Sequence, residues 1–293
     1  MLRAIHTSTL TGMKIHCMIY HHFKHITVEK RFLIVNVLLS WNPKHKFRRY
    51  LMKNVISSRT GTYDVLQKLG FKGVEIGPPA PGDYDKVKAE LAKYGLVAMS
   101  MSGGIDLVTE KGVDDFDALI NGAVGMGSKV IFASAHANDD IPREVTYERL
   151  RKAGERAGKH GVTICLETHP ILCHNGDAAL ATMLGVNHPN VRVNFDTANI
   201  YYYNEGTDSV TELKKIVKYV GSVHLKDTDG KPQSFNFPPL GDGVVDFPEV
   251  FKILNGIGFY GPWTFELESS SADAMPKDLE KSVNYLKKIG VID

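Results

Sequence analysis

The chain has 293 residues, 43% hydrophobic and 23% charged, with a formal net charge of +2. That is an ordinary globular composition, long enough for two small domains or for one large α/β barrel. The charge is unevenly divided: residues 1–53 carry ten Lys/Arg against one acidic residue (Glu29), whereas the remainder carries 25 basic against 32 acidic residues. A net of −7 over the body argues against a phosphate-backbone binder, so no nucleic-acid partner is expected.

Cys17, Cys165 and Cys173 are odd in number and lack CxxC spacing, which argues against a disulfide framework and points to a reducing, cytoplasmic setting. The longest apolar run, Phe32–Trp41, is about half the roughly 20 residues of a membrane span, so no membrane partner is expected. The N-terminus shows no secretory h-region or cleavage signal, although its Arg/Lys richness is compatible with organelle targeting.

Residues 1–55 form an atypical basic segment holding six of the twelve histidines (His6, His16, His21, His22, His25, His45) without ligand-like spacing. It reads as a loosely packed or disordered extension. A first strand is expected within 32–57, supplied by RFLIVNVLLS or by LMKNVISS. Residues 56–293 read as the catalytic body.

From about residue 60 the chain repeats one unit of amphipathic helix, glycine and strand. Helices are expected to close at Gly70, Gly95, Gly127, Gly161, Gly185 and Gly258, with Gly221 marking a seventh boundary. Glycine closes helices because it takes the left-handed conformation without a Cβ clash. Successive glycines lie 24 to 37 residues apart, the length of a strand–helix unit. The expected strands are 72–77, 96–101, 128–134, 162–168, 191–196, 222–226 and 262–268, which with the first makes eight.

The second-half strands alternate. Val162, Ile164 and Leu166 oppose Thr163, Cys165 and Glu167; Val191, Val193 and Phe195 oppose Arg192, Asn194 and Asp196. Val223 and Leu225 oppose Ser222, His224 and Lys226, and Trp263, Phe265 and Leu267 oppose Thr264, Glu266 and Glu268. A period of two gives each strand an apolar face for covering helices and a polar face for an enclosed space. A doubly wound open sheet, covered on both sides, would read as continuous apolar runs. The pattern therefore predicts a closed (β/α)8 barrel whose polar strand ends meet at the C-terminal rim. Cys165 is expected to be a small buried filler, and Trp263 and Phe265 core.

Glu167, Asp196, His224 and Glu266 stand at four successive strand ends, 29, 28 and 42 residues apart. Carboxylates gathered in an enclosed space repel unless a cation holds them. Two Glu, one Asp and one His are a hard, oxygen-rich set suited to Mn²⁺, Mg²⁺ or Co²⁺ rather than to structural Zn²⁺. Nearby candidates for substrate binding are His169, Lys226, Glu268, Glu75 at the end of the second strand, and His136 after the fourth. Lys226 can neutralise an oxyanion or phosphate, or pair with Glu268; Glu268 is that partner or a fifth carboxylate near the ion. The segment PLGDGVVDF (239–247), with Gly241 and Gly243 around Asp242, reads as a mouth loop before the last helix. It lacks the spacing of a phosphate cradle.

The runs LGFKGVEI, ICLETHP, NFDTAN, VHLKD, PLGDGVVDFPEVF and GPWTFELE resemble the sugar phosphate isomerase/epimerase family, with its xylose isomerase-like TIM-barrel fold. The resemblance covers about four fifths of the chain. It implies a divalent metal (manganese or a similar ion) held by Glu167, Asp196, His224 and Glu266, and a small-molecule carbohydrate substrate. It also implies that Glu167 and Glu266 pass a proton across an enediolate. Asn199 stands where related epimerases carry a substrate-binding histidine, a departure from the free-ketose epimerase subtype. The chain is thus expected to be a metal-dependent sugar isomerase or epimerase of carbohydrate metabolism, with room for homo-oligomer formation. Alternatives are a dehydratase of a keto-inositol or dehydroshikimate-like substrate, a repair nuclease on a related barrel, and a degenerate, non-catalytic barrel that fails to close.

Overall fold

The computed structural model describes residues 53–293, whose strands are short and whose helices carry the bulk of the covering surface. The order is β1 (Ile56–Ser58), α1 (Tyr63–Leu69), β2 (Gly73–Ile76), α2 (Tyr84–Lys93), β3 (Val97–Asp106), α3 (Glu110–Asp115), α4 (Asp117–Met126) and β4 (Val130–His136). There follow α5 (Arg143–Lys159), β5 (Thr163–Glu167), α6 (Gly176–Val186), β6 (Val191–Asp196), α7 (Asn199–Tyr203), α8 (Ser209–Ile216), β7 (Val220–Leu225), α9 (Phe247–Gly256), β8 (Trp263–Phe265) and α10 (Met275–Lys288). The eight strands are parallel, pair in chain order and close through β1 and β8 (Ile56 with Trp263, Ser58 with Phe265). This is the expected (β/α)8 barrel.

LMKNVISS supplies the first strand; RFLIVNVLLS, the basic segment and its six histidines lie outside the described residues. Closure removes the premise of a barrel held open by its N-terminus.

The alternation has the expected consequence. Ile164, Leu166, Val193, Phe195, Val223, Trp263 and Phe265 are buried in one apolar layer between strands and helices. Trp263 lies at the centre of its own cluster, its ring stacked on Phe251 at 3.8 Å and its Nε1–H donated to Asn54 Oδ1 at 3.0 Å. Such an aromatic pair contributes about 0.5–1.5 kcal/mol beyond its buried area. The opposite face fills the barrel with small polar side chains. Ser57, Ser100, Cys165, Asn194, Ser222 and Thr264 are all buried.

Helix starts are capped by side chains that the sequence places directly before them. Thr109, Asn175, Asp208 and Asp246 each accept a backbone N–H from the first turn that follows. Helix ends follow the glycine rule with two corrections. Gly185 lies inside α6, and Asn187 takes the left-handed conformation (φ 46°) instead. Gly185 serves packing: a Cβ there would stand 2.3 Å from the Tyr147 ring. Gly221 lies within β7, where its missing Cβ admits Cys165 Sγ from β5 and Arg192 from β6.

Strand bounds differ most at β3, which runs five residues past the expected end. Ser102–Asp106 stay paired with β4 as far as Asp106 opposite His136. The glycines there mark a close approach rather than a turn, since a Cβ on Gly103 would meet Leu119 at 2.5 Å. The 239–247 loop precedes α9, the last helix being α10.

Candidate active site

Each member of the quartet is delivered by a strand end. Glu167 and Asp196 are the last residues of β5 and β6, His224 is the penultimate residue of β7, and Glu266 follows β8 directly. Registers bring them level: Asp196 pairs with His224 and His224 with Thr264, while Glu266 N–H donates to Leu225 O at 3.1 Å. The result is four ligand atoms, one per residue, all within 4.8 Å of one another. No other part of the described chain gathers three such side chains so closely.

Each acid is held by its own partners. Asn194 Nδ2 donates to Glu167 Oε2 at 2.8 Å, and Asn199 Nδ2 donates to Glu167 Oε1 at 3.1 Å. Asp196 Oδ1 accepts the N–H groups of Ala198 and Asn199, both at 2.8 Å, which fixes the turn into α7. Its other oxygen, Oδ2, is buried and makes no hydrogen bond among the described residues; the Lys226 ammonium stands 4.0 Å off. A buried carboxylate oxygen without a donor is costly unless a cation takes it. Arg59, just past β1, donates Nη1–H to Glu266 Oε1 at 2.5 Å.

His224 Nδ1 faces Glu266 Oε2 at 2.8 Å and Glu167 Oε2 at 3.5 Å. Its Nε2 meets Glu75 Oε1 at 3.1 Å, and its ring stacks on Phe132 at 4.6 Å. Glu75 is buried and also accepts from Ser100 Oγ at 2.7 Å. It therefore stands behind the quartet rather than at the mouth. His224 thus turns one nitrogen into the quartet and the other to the Glu75 carboxylate; a ligating histidine commonly gives its second nitrogen to a carboxylate in that way.

The electrostatics separate the two glutamates. Burial pushes the Glu167 carboxyl well above the usual range, with the Glu266 and Asp196 charges adding to that direction. Burial also opposes ionisation of Glu266, but His224 and then Lys226 outweigh it and hold that carboxyl well below its usual range. Burial likewise raises Asp196. The oxygen-rich donors, their spacing and the orphaned Asp196 Oδ2 together fit a hard divalent cation.

A cavity of about 330 Å³ opens above the quartet. Its lining includes Glu167, Glu266, His169, Asn199, Lys226 and Glu268 from the sequence-derived candidates. His169 Nδ1 lies 3.3 Å from Ser134 Oγ, and its ring meets the Tyr203 edge; burial lowers its pKa. Lys226 pairs with Glu268 at 2.5 Å, so the ion-pair alternative holds for that lysine. His136 is placed elsewhere. It is exposed, 3.2 Å from Asp106, and lines a larger neighbouring hollow of about 620 Å³ that contains none of the quartet.

The cavity also takes in residues that the strand patterns did not single out: Arg59, Phe132, Ser134, Tyr202, Tyr203, Phe235 and Phe237. Arg59 and Ser134 carried a usable signal, being polar residues at or just past strand C-termini. Phe235 and Phe237 lie in an irregular connection where no periodicity marks them.

An eight-stranded parallel barrel with an acid–histidine quartet at the C-terminal ends of its strands defines a class of barrel with a rim-borne site. Residues 63–289 match the family described as xylose isomerase-like TIM barrel, and the chain belongs to that family. It is 28% identical over 200 residues to L-ribulose-5-phosphate 3-epimerase UlaE of Shigella flexneri serotype 5b (strain 8401), covering 64% of this chain and 68% of that protein. Among solved structures it is similar to a xylose isomerase domain protein from Planctomyces limnophilus (TM-score 0.68, 22% identity, 81% of this chain and 96% of the other). D-psicose 3-epimerase with D-tagatose from Clostridium cellulolyticum H10 matches with TM-score 0.66 and 15% identity, over 83% of this chain and 100% of the other. At those identities the two structures show the fold. No helix among the described residues is long and apolar enough to cross a membrane.

Proposed function

We propose that the protein is a divalent-metal-dependent isomerase or epimerase of a sugar or related polyhydroxy carbonyl compound, working by proton transfer between Glu167 and Glu266. The observation that carries this reading is the convergence of Glu167, Asp196, His224 and Glu266 on one point, with Asp196 Oδ2 buried and without a hydrogen-bond donor. These four side chains would hold the ion, with Mn²⁺, Mg²⁺ or Co²⁺ preferred on donor chemistry. When bound, the ion supplies Lewis acidity toward adjacent carbonyl and hydroxyl oxygens of the substrate.

The protein's own residues do the rest. A proton on a hydroxyl-bearing carbon next to a carbonyl is weakly acidic, and removing it leaves an enediolate. Glu266, held by Arg59 and with the Lys226 ammonium at 3.7 Å, is suited to accept that proton. Glu167, the other glutamate of the quartet that lines the cavity, is suited to deliver one from the other side. Asn194 and Asn199 fix Glu167, and Arg59 fixes Glu266, so both carboxyls are set before substrate arrives. His169, Asn199, Lys226 and Glu268 line the cavity and would meet the substrate's hydroxyls.

The test is solvent deuterium uptake at the substrate carbon for Glu167→Gln and Glu266→Gln made singly. Each loses about 10²–10⁴-fold in exchange while circular dichroism stays native. Full exchange in both variants refutes the mechanism. Product mass separates the two reaction classes weighed from sequence, since an isomerase conserves it and a dehydratase lowers it by one water.

A further inference from the structure

The charges and aromatic rings around the cavity restrict its substrate further, on the premise that the isomerase or epimerase reading holds. Among the described residues two cations line the cavity, Arg59 and Lys226, against three carboxylates, Glu167, Glu266 and Glu268. Both cations are already engaged. Arg59 donates to Glu266, has Glu75 at 3.8 Å, and lies over the Phe132 ring at 5.1 Å. Lys226 has Glu268 at 2.5 Å, Glu266 at 3.7 Å and Asp196 at 4.0 Å, with the Phe237 ring at 4.6 Å. Backbone N–H groups offer no alternative cradle at the turn into α7, because Asp196 Oδ1 takes those of Ala198 and Asn199.

The outer wall is aromatic. Tyr202 on α7 meets Phe235 at 5.2 Å and Phe237 at 6.3 Å between ring centroids, and Tyr203 at 4.8 Å. The segment carrying the two phenylalanines is tied to α7 by Gln233 N–H donating to Tyr202 O at 3.0 Å. Phe235 is nonetheless 77% exposed. A large exposed ring beside a polar cavity calls for something to cover it. Aromatic faces carry negative quadrupole density, which suits the C–H face of a sugar and repels a dianion.

We propose that this site takes an unphosphorylated ketose or keto-polyol, whose hydroxyl edge faces the carboxylates and Lys226 and whose C–H face lies on the Tyr202–Phe235–Phe237 wall. This departs from the phosphate ester in the name of the Shigella relative. Among the described residues a phosphate here would meet no unengaged side-chain cation in the cavity lining and would sit beside the Glu268 carboxylate; like-charge juxtaposition of that kind costs several kcal/mol.

The experiment uses the full chain loaded with Mn²⁺ and measures deuterium uptake on matched pairs, each free ketopentose or ketohexose beside its terminal phosphate ester. We expect kcat/KM for the preferred free sugar to exceed that of its ester by about 100-fold, the scale set by a few kcal/mol of repulsion. Equal or faster exchange on esters overturns this inference and leaves the isomerase reading standing. Absence of exchange on every member of both sets overturns the isomerase reading, and this inference with it. Phe235→Ala, at an exposed position that folding does not depend on, supplies the second arm. KM for the free sugar rises about 3- to 10-fold with kcat within twofold, as loss of one stacked ring implies. An unchanged KM overturns the aromatic wall as a sugar platform.

Discussion

Glu75 illustrates how one side chain can serve a site without entering it. It is buried behind His224, accepts Ser100 Oγ–H, and faces His224 Nε2 at 3.1 Å, while His224 Nδ1 turns toward Glu266 and Glu167. A proton kept on Nε2 by Glu75 leaves Nδ1 free to ligate, which sets both tautomer and ring orientation. Glu75→Gln keeps the size and the Ser100 contact but weakens the grip on Nε2–H. Mn²⁺ affinity by calorimetry falls about 10-fold or more, with unchanged circular dichroism; an unaltered affinity would remove Glu75 from that role. The same scale accounts for what residue identity revealed. Strand-end Glu167, Asp196, His224 and Glu266 were visible because each breaks an alternating strand at its polar face. Glu75 was visible only as a lining residue, since the sequence does not say that it lies opposite His224, 149 positions away. Cys165 was legible as filler: burial pushes its thiol up to about 12, and Cys173 is raised by the same cause. In a Cys17→Ser background, a thiol reagent at mildly alkaline pH should label neither in the native state and both after denaturation. Native labelling would contradict that burial.

Among the elements, the connection from β7 to α9 owes its shape to Asp227. This fully buried carboxylate accepts four backbone N–H groups: Thr228 and Val245 on Oδ1 at 2.9 and 3.2 Å, and Gly241 and Gly243 on Oδ2 at 2.8 and 2.9 Å. Gly243 is required by that close approach, since a Cβ would stand 2.3 Å from Asp227 Oδ1. The loop read as a mouth loop is thus an anchored structure whose tight centre is a carboxylate rather than a ligand. Asp227→Ala strands several buried donors and costs about 3 kcal/mol or more in urea unfolding. Gly243→Ala disrupts the same contact, so the double variant should cost less than the sum of the singles. A full sum would mean that the two residues act separately. At this scale the sequence was readable where a period existed and opaque where it did not. β1 has three residues, too few to show alternation, so Arg59 at its end went unremarked. Expected strand four stopped at 134, whereas β4 runs to His136 and pairs it with Asp106, outside the main cavity. Phe235 and Phe237 had neither strand nor helix to give them a face.

For the molecule as a whole, the decisive fact is where closure is made. β1 is bound on one side by β2 and on the other by β8. The seam is reinforced by Val55 N–H to Tyr260 O and Trp263 N–H to Val55 O, both at 2.9 Å, and by Asn54 Nδ2–H to Val291 O at 2.7 Å. Lys53 pairs with Asp293 at the opposite end of the described chain. The quartet depends on this seam because Glu266 follows β8, and Arg59, which holds Glu266, follows β1. The seam and the quartet found among the described residues therefore lie from residue 53 onward, in the part of the chain with a net charge of −7 after that lysine. A protein beginning at Lys53 should unfold in one cooperative urea transition. It should bind Mn²⁺ within about threefold of the full chain, well under the 10-fold that one lost ligand-orienting contact produces. By contrast, a start at Thr60 deletes β1 and Arg59 together, leaves β2 and β8 with bare edges, and should yield aggregated protein without measurable ion binding. Should the Lys53 form also fail to fold or to bind the ion, the strand seam would be insufficient, and the basic N-terminal residues would have to complete the barrel.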